Sequence, residues 1–170
     1  MRRAGRLACL LFAIVVAGGV GCLTPRLDTV ELTPRGPTAE ELLNGRSLVV
    51  NGRLPSFDEK RQWEGEMEER VFRYLREHPE LEQTARYTDF RFWWRVTAGS
   101  APEEVRVLLE EPQERTVDPA RMAALAERHW ADLEGKAKEA WVYDPAWIIY
   151  FGDRGVLTMV HRVASISPTE

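Results

Sequence analysis

Apolar residues open the chain as a single block. Leu7 to Ala17 is almost uninterrupted hydrophobic sequence, preceded by Arg2, Arg3 and Arg6 and followed by the small residues Ala17 to Gly21. The block is shorter than the ~20 residues a spanning helix needs, and its flanks are those of a secretory signal peptide. The pattern then disappears. Leu23 to Thr38 carries Pro25, Pro34, Gly36 and Pro37 with no period, which predicts an extended tether over residues 22–38. Thr38-Ala39-Glu40-Glu41 suits a helix cap, whereas Ser47 to Val50 before Asn51-Gly52 suits a strand and turn.

Periodicity returns at Asp58. Trp63, Met67, Val71, Tyr74, Leu75 and His78 recur at three- and four-residue steps, predicting a long amphipathic helix that Pro79 ends. Residues 89–96 fit two templates. Phe90, Phe92, Trp94 and Val96 alternate as in a strand, whereas Phe90, Trp93, Trp94 and Thr97 suit a short helix, the preferred reading. This aromatic cluster is read as core, with an exposed partner surface as the minority alternative. Ser100 to Glu103 has the form of a capping box, with Ser100 as N-cap, for a helix through Val105, Leu108 and Leu109 that stops before Pro112. Asp118-Pro119 opens another helix with Met122, Leu125, Ala126, His129, Trp130, Leu133 and Ala137 on one face. Thereafter β-branched and aromatic residues dominate 140–143, 147–151 and 156–163, and short connections predict an antiparallel three-stranded meander. By simple alternation Leu157, Met159, His161 and Val163 share one face, and Val156, Thr158, Val160 and Arg162 the other. Both faces of strand 147–151 are apolar. One must meet helices; the other is either covered by the N-terminal region or left for a partner, which makes Trp147, Tyr150 and Phe151 candidate partner-binding residues.

Cys22 gives the leading block a more specific meaning. Gly19-Val20-Gly21-Cys22 resembles the lipobox of bacterial lipoproteins, in which an invariant cysteine follows an aliphatic and two small residues. Gly19 departs from the usual leucine. The resemblance implies cleavage before Cys22 and its acylation by diacylglyceryl and N-acyl (palmitate-type) chains. The lipid bilayer is then a partner, since two or more chains anchor stably. Ordinary secretion with a free Cys22, or an uncleaved anchor, are the alternatives. Cysteine arithmetic agrees with acylation. Cys9 leaves with the signal, so Cys22 is the one cysteine left to explain. Leu23, not Asp, follows Cys22, as in lipoproteins sorted to the outer membrane of two-membrane cells.

Processing removes three arginines and no acid, so the formal charge moves from −4 to −7 over 149 residues. That length suits one domain. The charge argues against nucleic acid, whose phosphates demand Lys and Arg. No phosphate loop, nucleophile elbow or zinc-protease motif occurs. The histidines 78, 129 and 161 are scattered, and Glu110-Glu111 reads as a solvated turn. No catalytic residue, metal, cofactor or small-molecule substrate is therefore assigned, and the chain is expected not to be an enzyme.

The pieces from 90 to 163 resemble the SmpA/OmlA (BamE-like) family of envelope lipoproteins. Gly99, Glu104, Val105, Leu108, Leu109 and Pro112 fall on that family's central motif without a gap. Trp141-Val142-Tyr143 matches its Trp-x-Tyr strand, and Phe151, Gly155 and Leu157 match its closing hairpin. Ser100, Ala101 and Glu110 depart from it. Glu110 stands where the family ends the helix with glycine, so a different ending is expected, with Pro112 contributing more. The resemblance implies an α+β fold, two-layered, with helices on the three-stranded meander. Here a helical extension (39–89) would precede a core (90–163) within one domain, 39–170. It also implies a non-catalytic scaffold that binds other envelope proteins in support of outer-membrane β-barrel assembly, periplasm-facing if the source has two membranes. A lineage-specific binding lipoprotein with another partner is the competing expectation.

Overall fold

The computed structural model describes residues 26–143 and 146–165. The fold is α+β, built on a five-stranded antiparallel sheet with a separate two-stranded one. Strands β1 (Arg26–Thr33) and β2 (Arg35–Thr38) lead into helices α1 (Ala39–Asn51) and α2 (Phe57–Glu77). A 3-10 turn precedes α3 (Tyr87–Phe92), β3 (Arg95–Thr97), α4 (Pro102–Leu109) and β4 (Glu114–Thr116). Then come α5 (Pro119–Ala126), α6 (Trp130–Leu133) and the meander β5 (Glu139–Tyr143), β6 (Trp147–Gly152) and β7 (Gly155–Ser165). The large sheet runs β1-β7-β6-β5-β4, and β2 pairs with β3.

Residues 26–38 are thus not tether. Arg26 pairs with Ser165 and Thr33 with Met159, so β1 closes one edge of the sheet. Pro25 and Pro34 flank this strand rather than interrupt it, as proline permits at an edge. The free edge is partly capped: Arg128 Nη2 donates to the Val30 carbonyl at 2.7 Å, and His129 Nε2 lies 2.9 Å from the same oxygen.

The meander takes the expected antiparallel pairing, with Trp141 opposite Ile149 and Ile149 opposite Met159. Its faces need two separate covers. Trp141, Tyr143, Ile149, Phe151 and Met159 pack with α1, α2, α3 and α4. Ala140, Ile148, Tyr150 and Val160 pack instead with Val30 and the α5–α6 segment, through Met122, Leu125, Ala126 and Leu133. The two-layer expectation is therefore corrected to helices on both faces. The second cover is the insertion between β4 and β5, not the N-terminal region. A bulge at the Tyr150/Phe151 level changes the facing of β7. Val156 joins the first core and Leu157 the second, the reverse of simple alternation.

Other local expectations meet competing interactions. Thr38 does cap α1 with a reciprocal box to Glu41, but Ser47 to Val50 continue that helix rather than forming a strand. The α4 cap is Ala101, with no side-chain bond; the Ser100 hydroxyl accepts from the Thr97 N–H at 3.3 Å instead. The face from Met122 to Ala137 is not one helix. It breaks at Glu127 (φ 52) and resumes as a 3-10 turn and α6.

Two constraints position α4. Glu104, almost wholly buried, receives a fork from Arg86 with both N–H···O distances 3.0 Å. The carboxylate also lies in the first turn of α4, where the helix dipole favours it. At the other end Glu110 takes φ 66, the conformation glycine would favour, although a different ending was expected. Its ψ of −156 places it in a region nearly restricted to glycine. Contacts hold it there: the Tyr143 hydroxyl donates to its carbonyl at 2.9 Å, and Arg46 and Arg70 each lie 3.1 Å from its carboxylate. Burial raises the Tyr143 pKa, which keeps this donor protonated.

Both constraints have measurable consequences. Glu104→Ala strands a partly buried guanidinium and is expected to cost about 3 kcal/mol in urea unfolding. A cycle with Arg86→Met is expected to show ~1 kcal/mol or more of coupling, and additive losses would contradict the pairing. At position 110, glycine is expected to be more stable than alanine by about 1 kcal/mol, because only alanine retains the backbone strain. An alanine variant at least as stable as the glycine variant would refute that account.

Candidate functional site

Tyr150 and Phe151, expected at a partner surface, are in the core. The Tyr150 hydroxyl donates to the Met122 carbonyl at 2.9 Å, and burial raises its pKa. Phe151 packs on Trp141 with ring centroids 4.4 Å apart. Those two assignments are corrected: the faces that carry them are closed by helices. Trp147 is half-buried and stacks on His161, with centroids 4.1 Å apart and planes within 12°. Cys22 lies outside the described residues.

The histidines do not converge. His129 is held on the Val30 carbonyl, His161 on Trp147, and His78 against Tyr74 with Glu80 at 3.2 Å. Among the described residues no group of three or more His, Cys, Asp or Glu is arranged to hold a metal, and no helix is long and apolar enough to cross a membrane. One depression of about 360 Å³ is lined by Gly99, Gly135, Gly152 and Gly155 together with Lys136, Asp153, Arg154, Val156 and Leu157. Glu110 and Glu111 are solvated and engaged by arginines.

Two surfaces do stand out, and both belong to the helical extension and its junction with the core. The first is aromatic and cationic. In α3, Phe90 points inward and is buried, whereas Phe92 and the following Trp93 are about 60% exposed. Trp94 then adopts φ 46, which is unusual for a bulky residue. Its ring meets Trp63 edge-on at 5.6 Å and its carbonyl accepts from the Ala39 N–H at 2.9 Å. This reversal leaves Trp93 outside and Trp94 half inside. Arg91 lies over the Phe72 ring at 3.8 Å and near the Phe92 ring at 5.2 Å. Asp89, the nearest acid in sequence, pairs with Arg95 at 3.6 Å. Arg91 is therefore held by ring faces. The aromatic cluster is thus divided, with Phe90 in the core and Phe92 and Trp93 exposed.

The second surface is the α1–α2 corner, which sequence reasoning missed. Leu48, Val49, Val50, Leu54 and Phe57 are all exposed, Val49 and Val50 by about 80%. The backbone beneath them is tightly made. Gly52 ends α1 in the left-handed region (φ 67), and its N–H donates to the Leu48 carbonyl. The Ser47 hydroxyl donates to the Arg53 carbonyl at 2.8 Å. Arg53 forks onto Glu59 at 2.7 and 2.9 Å, and Glu59 also completes a capping box with Ser56. The signal for this corner was five apolar residues within ten positions, 48–57.

Comparison with protein-family models, with curated proteins and with solved structures returned no match.

The corner has a pH signature. Hydrogen bonds from Arg53, then from the Ser56 backbone and side chain, lower the Glu59 pKa from 4.5 to about 2. A carboxylate lowered in the folded state stabilises it above the unfolded pKa, and that contribution is lost as pH falls from ~4.5 toward ~2. Glu59→Gln is expected to lower Tm at pH 7 but to approach the parent's Tm as pH falls through that window. A Tm difference unchanged between pH 7 and pH 3 would contradict this.

Proposed function

We propose that the chain is a membrane-anchored lipoprotein of the cell envelope, attached to lipid through acylated Cys22, whose domain is a non-catalytic scaffold binding another envelope protein. On this reading it sits on the periplasmic side of the outer membrane where two membranes exist. The sequence before Cys22 and Leu23 after it support the anchor. The observation that carries the scaffold is the Phe72–Arg91–Phe92–Trp93 surface. Exposed aromatics around an arginine have the composition of interface hot spots. The cation, stacked but unpaired with the neighbouring acid, suits a partner segment carrying a carboxylate beside an apolar side chain.

The motif resemblance supports an accessory role in outer-membrane β-barrel assembly. Gly99, at its head, takes φ 86, and the motif's last helical position, Glu110, also has positive φ. A BamE-like arrangement of helix and meander is part of this proposal. The competing reading, a lineage-specific binder with another partner, is favoured by the α5–α6 layer and by the helical extension, neither of which that resemblance explains.

A photo-crosslinking residue at position 93, in protein expressed at native level, tests both. A discrete adduct with a barrel-assembly component supports the first reading, and an adduct with a different envelope protein supports the second. Arg91→Glu and Trp93→Ala are each expected to weaken partner affinity at least about tenfold, or ~1.4 kcal/mol, with Tm unchanged. No specific adduct, or full affinity in both variants, would overturn the scaffold.

A further inference from the structure

Only residues 23–25 separate Cys22 from Arg26, the first residue of β1. Four residue steps span at most about 14 Å. A thioether-linked lipid at Cys22 would therefore hold the start of β1 close to the headgroups, and the domain would rest on the bilayer.

The contacts show which part of the domain accompanies that point. Glu31 and Trp147 both pair with His161, and β1 starts five residues before Glu31, so its first residue projects beyond the sheet end that carries Trp147 and Tyr143. The Tyr143 hydroxyl bonds the Glu110 carbonyl, which brings the C-terminal end of α4 there too. Arg46 reaches the same place, donating to the Leu109 carbonyl at 3.0 Å and pairing with Glu110. The exposed apolar corner starts two residues later, at Leu48.

We propose that this corner inserts into the interfacial region of the bilayer bearing the anchor, with Leu48, Val49, Val50, Leu54 and Phe57 as the inserting side chains. The proposal rests on the lipoprotein reading above. The short reach from Cys22 selects lipid as the occupant. Charge agrees. The processed chain carries −7, so the domain as a whole gains nothing from anionic lipid. The corner's own charges are largely internal: Arg53 is matched by Glu59, and Lys60 by Glu40 at 2.6 Å. Insertion here is hydrophobic, not electrostatic, and is insensitive to salt. It also orients the domain. Phe72 lies fifteen residues along α2 from Phe57, ~22 Å at the helical rise, so the aromatic–arginine surface is displaced from the inserted corner along a rigid helix.

The test uses the acylated full chain in phosphatidylcholine vesicles. Once the signal is removed and Cys22 acylated, Val49→Cys supplies a single free thiol for an environment-sensitive fluorophore, and Val117→Cys does the same at an exposed control site. The position-49 probe is expected to shift to the blue and to lose about half or more of its emission to lipids brominated in the acyl chain, unchanged in 1 M salt; the position-117 probe is expected to do neither. A position-49 probe that stays water-like on vesicle-bound protein overturns the insertion. So does a shift that needs no lipid and rises with protein concentration, which identifies a second copy as the occupant, or one that appears only with a protein partner. Mass spectrometry of the N-terminal peptide and vesicle flotation separate the two claims. A diacylated, floating protein with a wet position 49 removes the insertion alone, and an unmodified Cys22 removes both.

Discussion

The fold depends on a sheet that is apolar on both sides. Trp141, Ile149 and Met159 point one way, and Ala140, Ile148, Tyr150 and Val160 the other; all are fully or almost fully buried. An antiparallel sheet can leave one face to water only if that face is polar. These strands have no such face, so the chain must supply two covers. It does so with one unit made of α1, α2, α3 and α4 and another made of α5 and α6. The edge strands follow from the same demand. β1 contributes Val30 and Leu32 to the second core, and β4 carries the chain from the first helical layer round to the second.

How much of this is legible in the sequence depends on whether a signal is local. The α2 stripe, the Asp118-Pro119 start of α5 and the β-branched runs of the meander are local, and each element appears where its pattern lies. The failures have non-local causes. β1 is hidden because prolines bracket it and because its pairing partner is 134 residues away, Thr29 pairing with Val163 of β7 across almost the whole described chain. Ser47 to Val50 stay in the helix whose Thr38–Glu41 box begins nine residues before Ser47, despite the β propensity of two valines. The Val156/Leu157 facing depends on a bulge, which shifts side-chain parity without leaving a mark on the alternation.

The candidate surfaces were legible to a similar extent. Tyr150 and Phe151 looked available because a face with no recognised cover is available. Once α5 and α6 occupy it, the hydroxyl of Tyr150 must find an internal acceptor, and the Met122 carbonyl provides it. The exposed aromatics lie instead where a six-residue helix ends and the chain reverses at Trp94. Six residues give fewer than two turns, so Phe90 can be buried and Trp94 half-buried while Phe92 and Trp93 stay outside. Composition announced the cluster, but only the left-handed backbone of Trp94 divides it.

The two covers also divide the labour of the surface. The α5–α6 layer keeps few large apolar side chains outside, Val117 at its entry being the exposed one there. The remaining exposed large apolar residues among those described belong to α1, α2, α3 and their connections. That asymmetry does not follow from core packing, because both layers bury the same kind of sheet face. Nor does it follow from helix stability: Val49 and Val50 are poor helix formers, and solvated polar residues would serve the end of α1 better. On the proposed reading, a layer that exposes side chains in this way has two surfaces to meet besides the sheet. The proposed anchor would offer one, a bilayer within a few residues of Arg26. The far half of α2 and α3 would offer the other, where a guanidinium lies across aromatic rings and suits a partner's carboxylate.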